Sequence, residues 1–251
     1  MKKILYVATV DVHIKSFHLP YLKMLKENGY EVHVATNGDE QFPYCDVKHQ
    51  ICIERSPFKV NNLKAIKQLK KIIDKEKFNI IHCHTPMGSV VTRLAAREAR
   101  KNGTRVIYTA HGFHFYKGAP LFNWVIYYPV EKILSKYTDC LITINEEDYK
   151  IANKRFKTKQ IELIHGVGVE IEKFKPESPS KELKNELKLN DDDFVIIYPA
   201  ELSKRKNQGM LIKAIALIEK KENIKLLLPR QRFNEWEISK ISKKVRNQRK
   251  Y

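Results

Sequence analysis

Short, unbroken apolar runs recur along this chain, and a longer amphipathic stretch follows each. That alternation constrains the fold more than any other feature. Lys3–Thr9, Glu31–Ala35, Val47–Ile53, Asn79–Cys83, Arg105–Ala110, Cys140–Ile144 and Ile161–Ile164 read as strands. A continuous apolar run fits a strand covered on both faces, whereas a half-exposed strand alternates. The spacing predicts helices over Phe17–Asn28, Asn62–Lys77, Ser89–Lys101, Ala119–Tyr137 and Glu146–Lys154. In the second of these, Leu63, Ile66, Leu69 and Ile73 are expected inward and the lysines outward. Gly29 and Gly103 sit where a helix stop is expected. Strands that alternate with helices build βαβ units, and right-handed crossovers place helices on both faces of a parallel sheet. The expected fold class is therefore α/β: a doubly wound, Rossmann-like domain over residues 1–169. Strand order is not readable from the pattern.

Residues 170–193 break the pattern with Pro176, Pro179, a short lysine-rich helix around Lys181–Leu187 and the acidic turn Asp191-Asp192-Asp193. They read as a linker. The alternation restarts over 194–228 with strand Phe194–Tyr198, helix Gln208–Lys220 and strand Ile224–Leu228. This is one βαβ unit, and two strands rarely form a domain alone, so a second, incomplete Rossmann-like domain is expected. Residues 229–251 form a basic tail of net charge +6.

The whole chain carries 47 Lys and Arg against 29 Asp and Glu, a formal charge of +18. An anionic partner is implied, and nucleic acid, anionic lipid headgroups and a phosphorylated substrate all satisfy it. The first apolar run ends at Asp11, far short of the roughly 20 residues that span a bilayer. It lacks the cleavage site of a signal peptide. A cytoplasmic location is expected. Cys45, Cys52, Cys83 and Cys140 lack CxxC spacing, which argues against a zinc ribbon or a thioredoxin-like dithiol. They read as buried thiols of a reducing compartment.

In a doubly wound sheet, ligands sit beyond the carboxyl ends of the strands. Asp11, His13, Ser16 and His18 follow the first strand. No GxGxxG or GxxxxGK[ST] is present, which disfavours a dinucleotide oxidoreductase or a P-loop NTPase. After the fourth strand, His82 and His84 share one side with Cys83 opposite. No partner motif completes a metal set, so no metal is expected, and a turn at Gly88 is. The densest polar and aromatic cluster, Tyr108–Gly118, follows the fifth strand. His111 there suits acid/base work or a hydrogen bond to a sugar hydroxyl; a structural histidine is the other reading. Phe113, Phe115 and Tyr116 lead into Leu121–Tyr128, a belt suited to core packing or to a membrane interface. His165-Gly166-Val167-Gly168 follows the seventh strand. After the eighth, Lys204, Arg205 and Lys206 precede a helix start and read as a diphosphate clamp or as a solvated loop.

Taken together, HIKSFHLPYLKMLKENGYEVHVAT (13–36), IIHCHTPMGSVVTRLAA (80–96), YTAHGFHFYKGAP (108–120), IHGVGVE (164–170) and ELSKRKNQ (201–208) resemble the family 4 glycosyltransferases of the two-domain GT-B fold. The nearest branch builds capsule and exopolysaccharide. The resemblance implies a retaining transfer of sugar from a nucleotide diphosphate sugar to an acceptor that is typically lipid-diphosphate-linked, at the inner membrane face. It implies no cofactor beyond the donor substrate and no metal. His111 then corresponds to the histidine near the transferred sugar. His13, His18 and His84 lie on the acceptor side, and Lys206, with Arg205, on the donor diphosphate.

Glu201 stands where the family commonly has Arg, and the later E-x7-E signature is absent. A truncated member with little or no transferase activity is the expectation, with peripheral contact at the membrane and no nucleic acid partner. The alternative is a non-catalytic basic module that binds anionic membrane or nucleic acid.

Overall fold

The first apolar run is a strand, β1 (Lys2–Val10), buried from Ile4 to Thr9. It pairs in parallel with β2 (Tyr30–Asn37) on one side and with β4 (Ile80–His84) on the other. β3 (Val47–Gln50) lies beyond β2. β5 (Arg105–Ala110), β6 (Cys140–Thr143) and β7 (Gln160–Leu163) extend the sheet past β4. The order is β3-β2-β1-β4-β5-β6-β7, all parallel. This is the doubly wound α/β class expected from the alternation.

The computed structural model describes residues 1–166, 168, 171–174, 181–204, 206–218 and 223–229. They divide into two units, Met1–Glu170 and Ile171–Tyr251.

Period-two alternation in each strand divides the first unit's core between two faces. Leu5, Val7, Ile81, Cys83, Val106, Tyr108 and Leu141 face α3 (Asn61–Glu76), α4 (Pro86–Ala95) and α7 (Glu146–Arg155). Ile4, Tyr6, Ala8, Val32 and Val34 face α1 (Asp11–Phe17) and α2 (Leu19–Glu27). α5 (Arg97–Lys101) continues from α4, and α6 (Leu121–Leu134) packs Trp124, Tyr127 and Tyr128 on the first face. Cys83 and Cys140 are buried, while Cys45 and Cys52 are half-buried.

Four local expectations are corrected. The first helix begins at Asp11, not Phe17, and breaks at His18, where Pro20 removes a backbone donor. On α3 the buried stripe is Asn62, Ala65, Leu69 and Ile73. That is the i, i+3, i+4 face, and it leaves Leu63 63% exposed. The helix expected over Ser89–Lys101 begins at Pro86 and is divided at Ala96 into α4 and α5. The turn after β4 falls on Thr85 at φ 64°, and Gly88 lies inside α4. A Cβ on Gly88 would stand 3.3 Å from the Ala8 backbone and 2.7 Å from Thr85 Oγ1. The glycine permits close approach of α4 to β1, not a turn.

The second unit contains α8 (Lys181–Glu186), β8 (Phe194–Ile197), α9 (Gln208–Ala216) and β9 (Ile224–Leu227). β8 and β9 pair in parallel, so the second βαβ unit is present. The basic tail from 230 onward lies outside the described residues. Among the described residues, no helix is long and apolar enough to cross a membrane.

Candidate functional site

The sheet reverses direction of growth between β1 and β4, so the chain leaves these two neighbours toward opposite faces. A crevice opens at such a switch point, beyond the carboxyl ends of the strands. α1 starts directly from β1 because Asp11 is anchored. Its carboxylate accepts from the Thr36 hydroxyl and from the Glu40 N–H at 3.0 Å, with Lys48 Nζ at 3.3 Å. Gly38 makes room for this network, since a Cβ there would lie 2.0 Å from Asp11 Oδ2.

That anchoring carries His13 and His18 over the crevice. His84 ends β4 and His111 follows β5. His13 and His111 meet edge to face with ring centroids 4.7 Å apart, and His18 and His84 lie 3.9 Å apart. His111 Nε2 is 3.5 Å from His84 Nδ1. Tyr6 stacks on His84 at 5.5 Å. His82 lies 4.2 Å from His84, and its Nε2 pairs with Thr109 Oγ1 at 2.8 Å. His18 and His84 are buried; His13 and His111 are half-buried at the mouth.

Burial disfavours the charged imidazolium, and neighbouring histidines add to the effect. His13 is pushed down to about 4, His18 to about 2 and His82 to about 3. His84 lies well below its ordinary value, and burial lowers His111 as well. At neutral pH the cluster is a set of uncharged imidazoles. Such rings donate and accept hydrogen bonds but are weak proton acceptors, so the geometry favours hydrogen bonding over proton transfer for His111.

The loop that carries His111 is fastened along its length. Gly112 takes φ 115°, and the Phe113 N–H donates to Asp148 Oδ2 at 2.9 Å. Asp148 is itself set by Asn145, the side-chain cap of α7. Phe113 and Phe115 stack at 4.8 Å in the core. Of the aromatic belt, these two serve packing, whereas Tyr116, Leu121, Phe122 and Val125 are exposed.

Beside the histidines lies a cavity of about 590 Å³. Its walls are mostly apolar, with Val10, Val12, Phe17, Met87, Val90, Phe113, Ile126 and Val130 among them. Thr9, His13, Arg55, Thr85, His114 and Glu131 supply polar groups, with Tyr108 and Tyr127. Arg55 went unnoticed in the sequence. It follows the third strand and could have been found by the rule that picked out His13 and His111.

Lys206 belongs to the second unit. Its N–H donates to the Ser203 carbonyl at 3.1 Å, and its own carbonyl accepts from the Tyr198 hydroxyl at 3.0 Å. Asn207, left-handed at φ 54°, then starts α9, and Gln208 Nε2 donates to the Glu201 carbonyl at 2.8 Å. Lys206 therefore stands just before a helix N-terminus. Arg205 lies outside the described residues. His165 is exposed beside Gly166 at φ 75°.

Residues 3–145 match the family model described as glycosyl transferase 4-like. EpsD of Bacillus subtilis (strain 168), a glycosyltransferase by name, is 56% identical over 223 residues, covering 88% of this chain and 58% of its own. The UDP-Gal:alpha-D-GlcNAc-diphosphoundecaprenol alpha-1,3-galactosyltransferase of Escherichia coli is 30% identical over 150 residues, 59% of this chain and 38% of its own. The chain thus spans little more than half the length of the first of these relatives, and less of the second. Among solved structures, Anabaena HepE in complex with UDP and glucose superposes with a TM-score of 0.66 at 17% identity, over 99% of this chain and 65% of that one. Sucrose-phosphate synthase from Thermosynechococcus elongatus superposes with a TM-score of 0.67 at 18% identity, over 98% and 68%. These likenesses concern the fold. The match over 3–145, together with the parallel sheet and its switch-point crevice, shows that the chain belongs to the glycosyl transferase 4-like family.

Proposed function

We propose that this chain acts in transfer of a sugar from a nucleotide diphosphate sugar to a saccharide carried on a lipid diphosphate, for surface polysaccharide at the inner membrane face. The observation that carries the reading is the pairing of an apolar cavity with hydrogen-bonding imidazoles and the Arg55 cation at the sheet's switch point. An apolar wall suits the lipid-proximal part of an acceptor. A guanidinium suits its diphosphate. His111 and His13 suit sugar hydroxyls, and His18 and His84 support them from below.

On the donor side, Lys206 and Arg205 are assigned to the diphosphate. In a retaining transfer the bond from the anomeric carbon to the diphosphate breaks, and negative charge grows on the leaving oxygens. An ammonium just before a helix N-terminus stabilises that charge. No resident cofactor or metal is invoked for this reaction. The relative named for diphosphoundecaprenol-linked GlcNAc supports the acceptor class.

The membrane part of the proposal rests on exposed apolar side chains. Leu121, Phe122, Val125 and Ile133 on α6, Val12 and Phe17 on α1, and Phe58 and Val60 are all exposed. Lys117, Lys132 and Lys136 flank or lie within this stretch of α6. Apolar insertion with adjacent cations is the combination that binds anionic bilayer surfaces.

The test is binding of a synthetic polyprenyl-diphosphate saccharide in detergent. The acceptor is expected to bind, and Arg55→Ala and His111→Ala are each expected to weaken it about tenfold or more. Equal affinity for the free saccharide, without lipid or diphosphate, would overturn the reading. Sugar transfer is measured separately with UDP-sugars, and Lys206→Ala is expected to abolish any turnover found.

A further inference from the structure

Four histidines from three separate chain segments converge in the crevice. His13 comes from α1, His18 from the joint between α1 and α2, His84 from the end of β4 and His111 from the loop after β5. One ring nitrogen of each lies within 4.8 Å of the others. Tetrahedral coordination at metal–nitrogen distances of about 2.0–2.1 Å places ligand nitrogens roughly 3.4 Å apart. Small side-chain rotations close that gap.

We propose that His13, His18, His84 and His111 form a binding site for a divalent transition-metal ion, of which Zn²⁺ is the probe. Among the described residues, buried Nε2 of His13, His18 and His84 finds no hydrogen-bond partner. A buried polar atom left without a partner is uncommon in a folded protein, and an ion coordinated through these nitrogens satisfies them. Among the described residues, no Asp or Glu belongs to the cluster. An all-imidazole set suits Zn²⁺, Cu²⁺ or Ni²⁺ and is the wrong chemistry for Mg²⁺ or Ca²⁺, which require oxygen ligands. The cluster is also held in the neutral form that ligates metal, because burial disfavours its protonation. Tyr6 stacks on His84 and limits its reorientation. From the sequence, His82 and His84 lacked partner ligands; the fold brings partners to His84 from α1 and from the loop after β5. His82 is not among them, since Thr109 holds its Nε2.

A second group of ligand type, Glu31, His33 and Glu76, is different. The Lys3 ammonium sits 2.8 Å from Glu76 and 3.3 Å from Glu31, so a cation is already built in.

The inference does not depend on the sugar-transfer reading. Its functional consequence does: an ion that holds His111 removes that ring from acceptor recognition, so Zn²⁺ would act as an inhibitor. The experiment is titration of the untagged chain with Co²⁺ at pH 7.5, followed by its visible ligand-field absorption, and then displacement by Zn²⁺. One equivalent is expected, with a tetrahedral spectrum. His13→Ala and His111→Ala, both half-buried and so mild for folding, are each expected to lower affinity about tenfold or more. His165→Ala, at an exposed position, is expected to leave it unchanged. Circular dichroism melts identify any variant that has unfolded, and the double variant His13→Gln/His111→Gln then serves instead. Binding below a tenth of an equivalent would overturn the proposal. So would undiminished affinity in the folded double variant, or loss of binding in Glu31→Gln.

Discussion

Arg93 and Glu131 form an ion pair at 2.9 Å between α4 and α6, with both side chains almost fully withdrawn from water. Arg93 also donates to the Ser89 carbonyl and hydroxyl and lies 4.5 Å over the Tyr108 ring. The pair ties the apolar helix α6 to the sheet beneath the cavity. Removal of one partner strands a buried charge, so Glu131→Ala is expected to cost about 3–5 kcal/mol. Joint replacement, Arg93→Met with Glu131→Leu, is expected to recover most of that loss. Urea unfolding of the single and double variants measures both effects.

The buried and half-buried histidines make stability depend on acidity. In the unfolded chain they take up protons near pH 6.5, whereas His13, His18 and His82 in the fold stay neutral down to about 4, 2 and 3. Between those values the unfolded state binds more protons, so stability is present above pH 6.5 and is lost as pH falls. Each group contributes at most about 1.4 kcal/mol per pH unit. The urea midpoint is expected to fall steeply from pH 6.5 to 5, and His18→Gln is expected to flatten the slope. A midpoint that is constant over this range would show that the imidazoles are not buried as described.

Gly88→Ala tests how closely α4 approaches β1. The added methyl meets the Ala8 backbone at 3.3 Å and Thr85 Oγ1 at 2.7 Å. Thr85 Oγ1 pairs with Thr9 Oγ1 at 2.7 Å, so relief by a swing of Thr85 breaks that contact. A destabilisation of about 1–3 kcal/mol is expected from overpacking, read as a lower midpoint in thermal or urea unfolding. Gain of stability, as in an ordinary Gly→Ala exchange in a helix, would contradict the contact.

Membrane association is tested by flotation with vesicles of phosphatidylglycerol and phosphatidylcholine. Phe122→Ser with Val125→Ser removes two exposed apolar side chains from α6 and is expected to reduce bound protein several-fold without lowering stability. High salt is expected to reduce binding by the wild-type chain, since cations contribute about 1 kcal/mol each near an anionic surface. Unchanged flotation of the double variant would assign the binding to another surface.

The α/β class was legible in the sequence because a strand covered on both faces must be apolar throughout. Ile4–Thr9, Ile80–Cys83 and Val106–Ala110 carry that signature directly. The strand-tip rule likewise led to His13, His84 and His111, since the crevice lies beyond the carboxyl ends of the strands; it also picked out His165, which is exposed and outside the cluster. Helix starts were less legible. The Asp11 anchor that begins α1 uses Thr36, Glu40 and Lys48, and such distant partners leave no local mark. Leu63 misled for the same reason: its apolarity matches the helix period within one residue, but packing against the sheet selected Asn62 and Ala65.

The sequence by itself located the strands, although β3 ends at Gln50 rather than Ile53, and it pointed to His13, His84 and His111, because period and apolarity are properties of neighbours along the chain. Only the tertiary structure decided that β1 and β4 are adjacent. That adjacency brings histidines of three segments within a few ångströms, buries His18 and His84, half-buries His13 and His111, and keeps the rings uncharged. Pairing order is settled by the packing of whole faces, and no single segment encodes it.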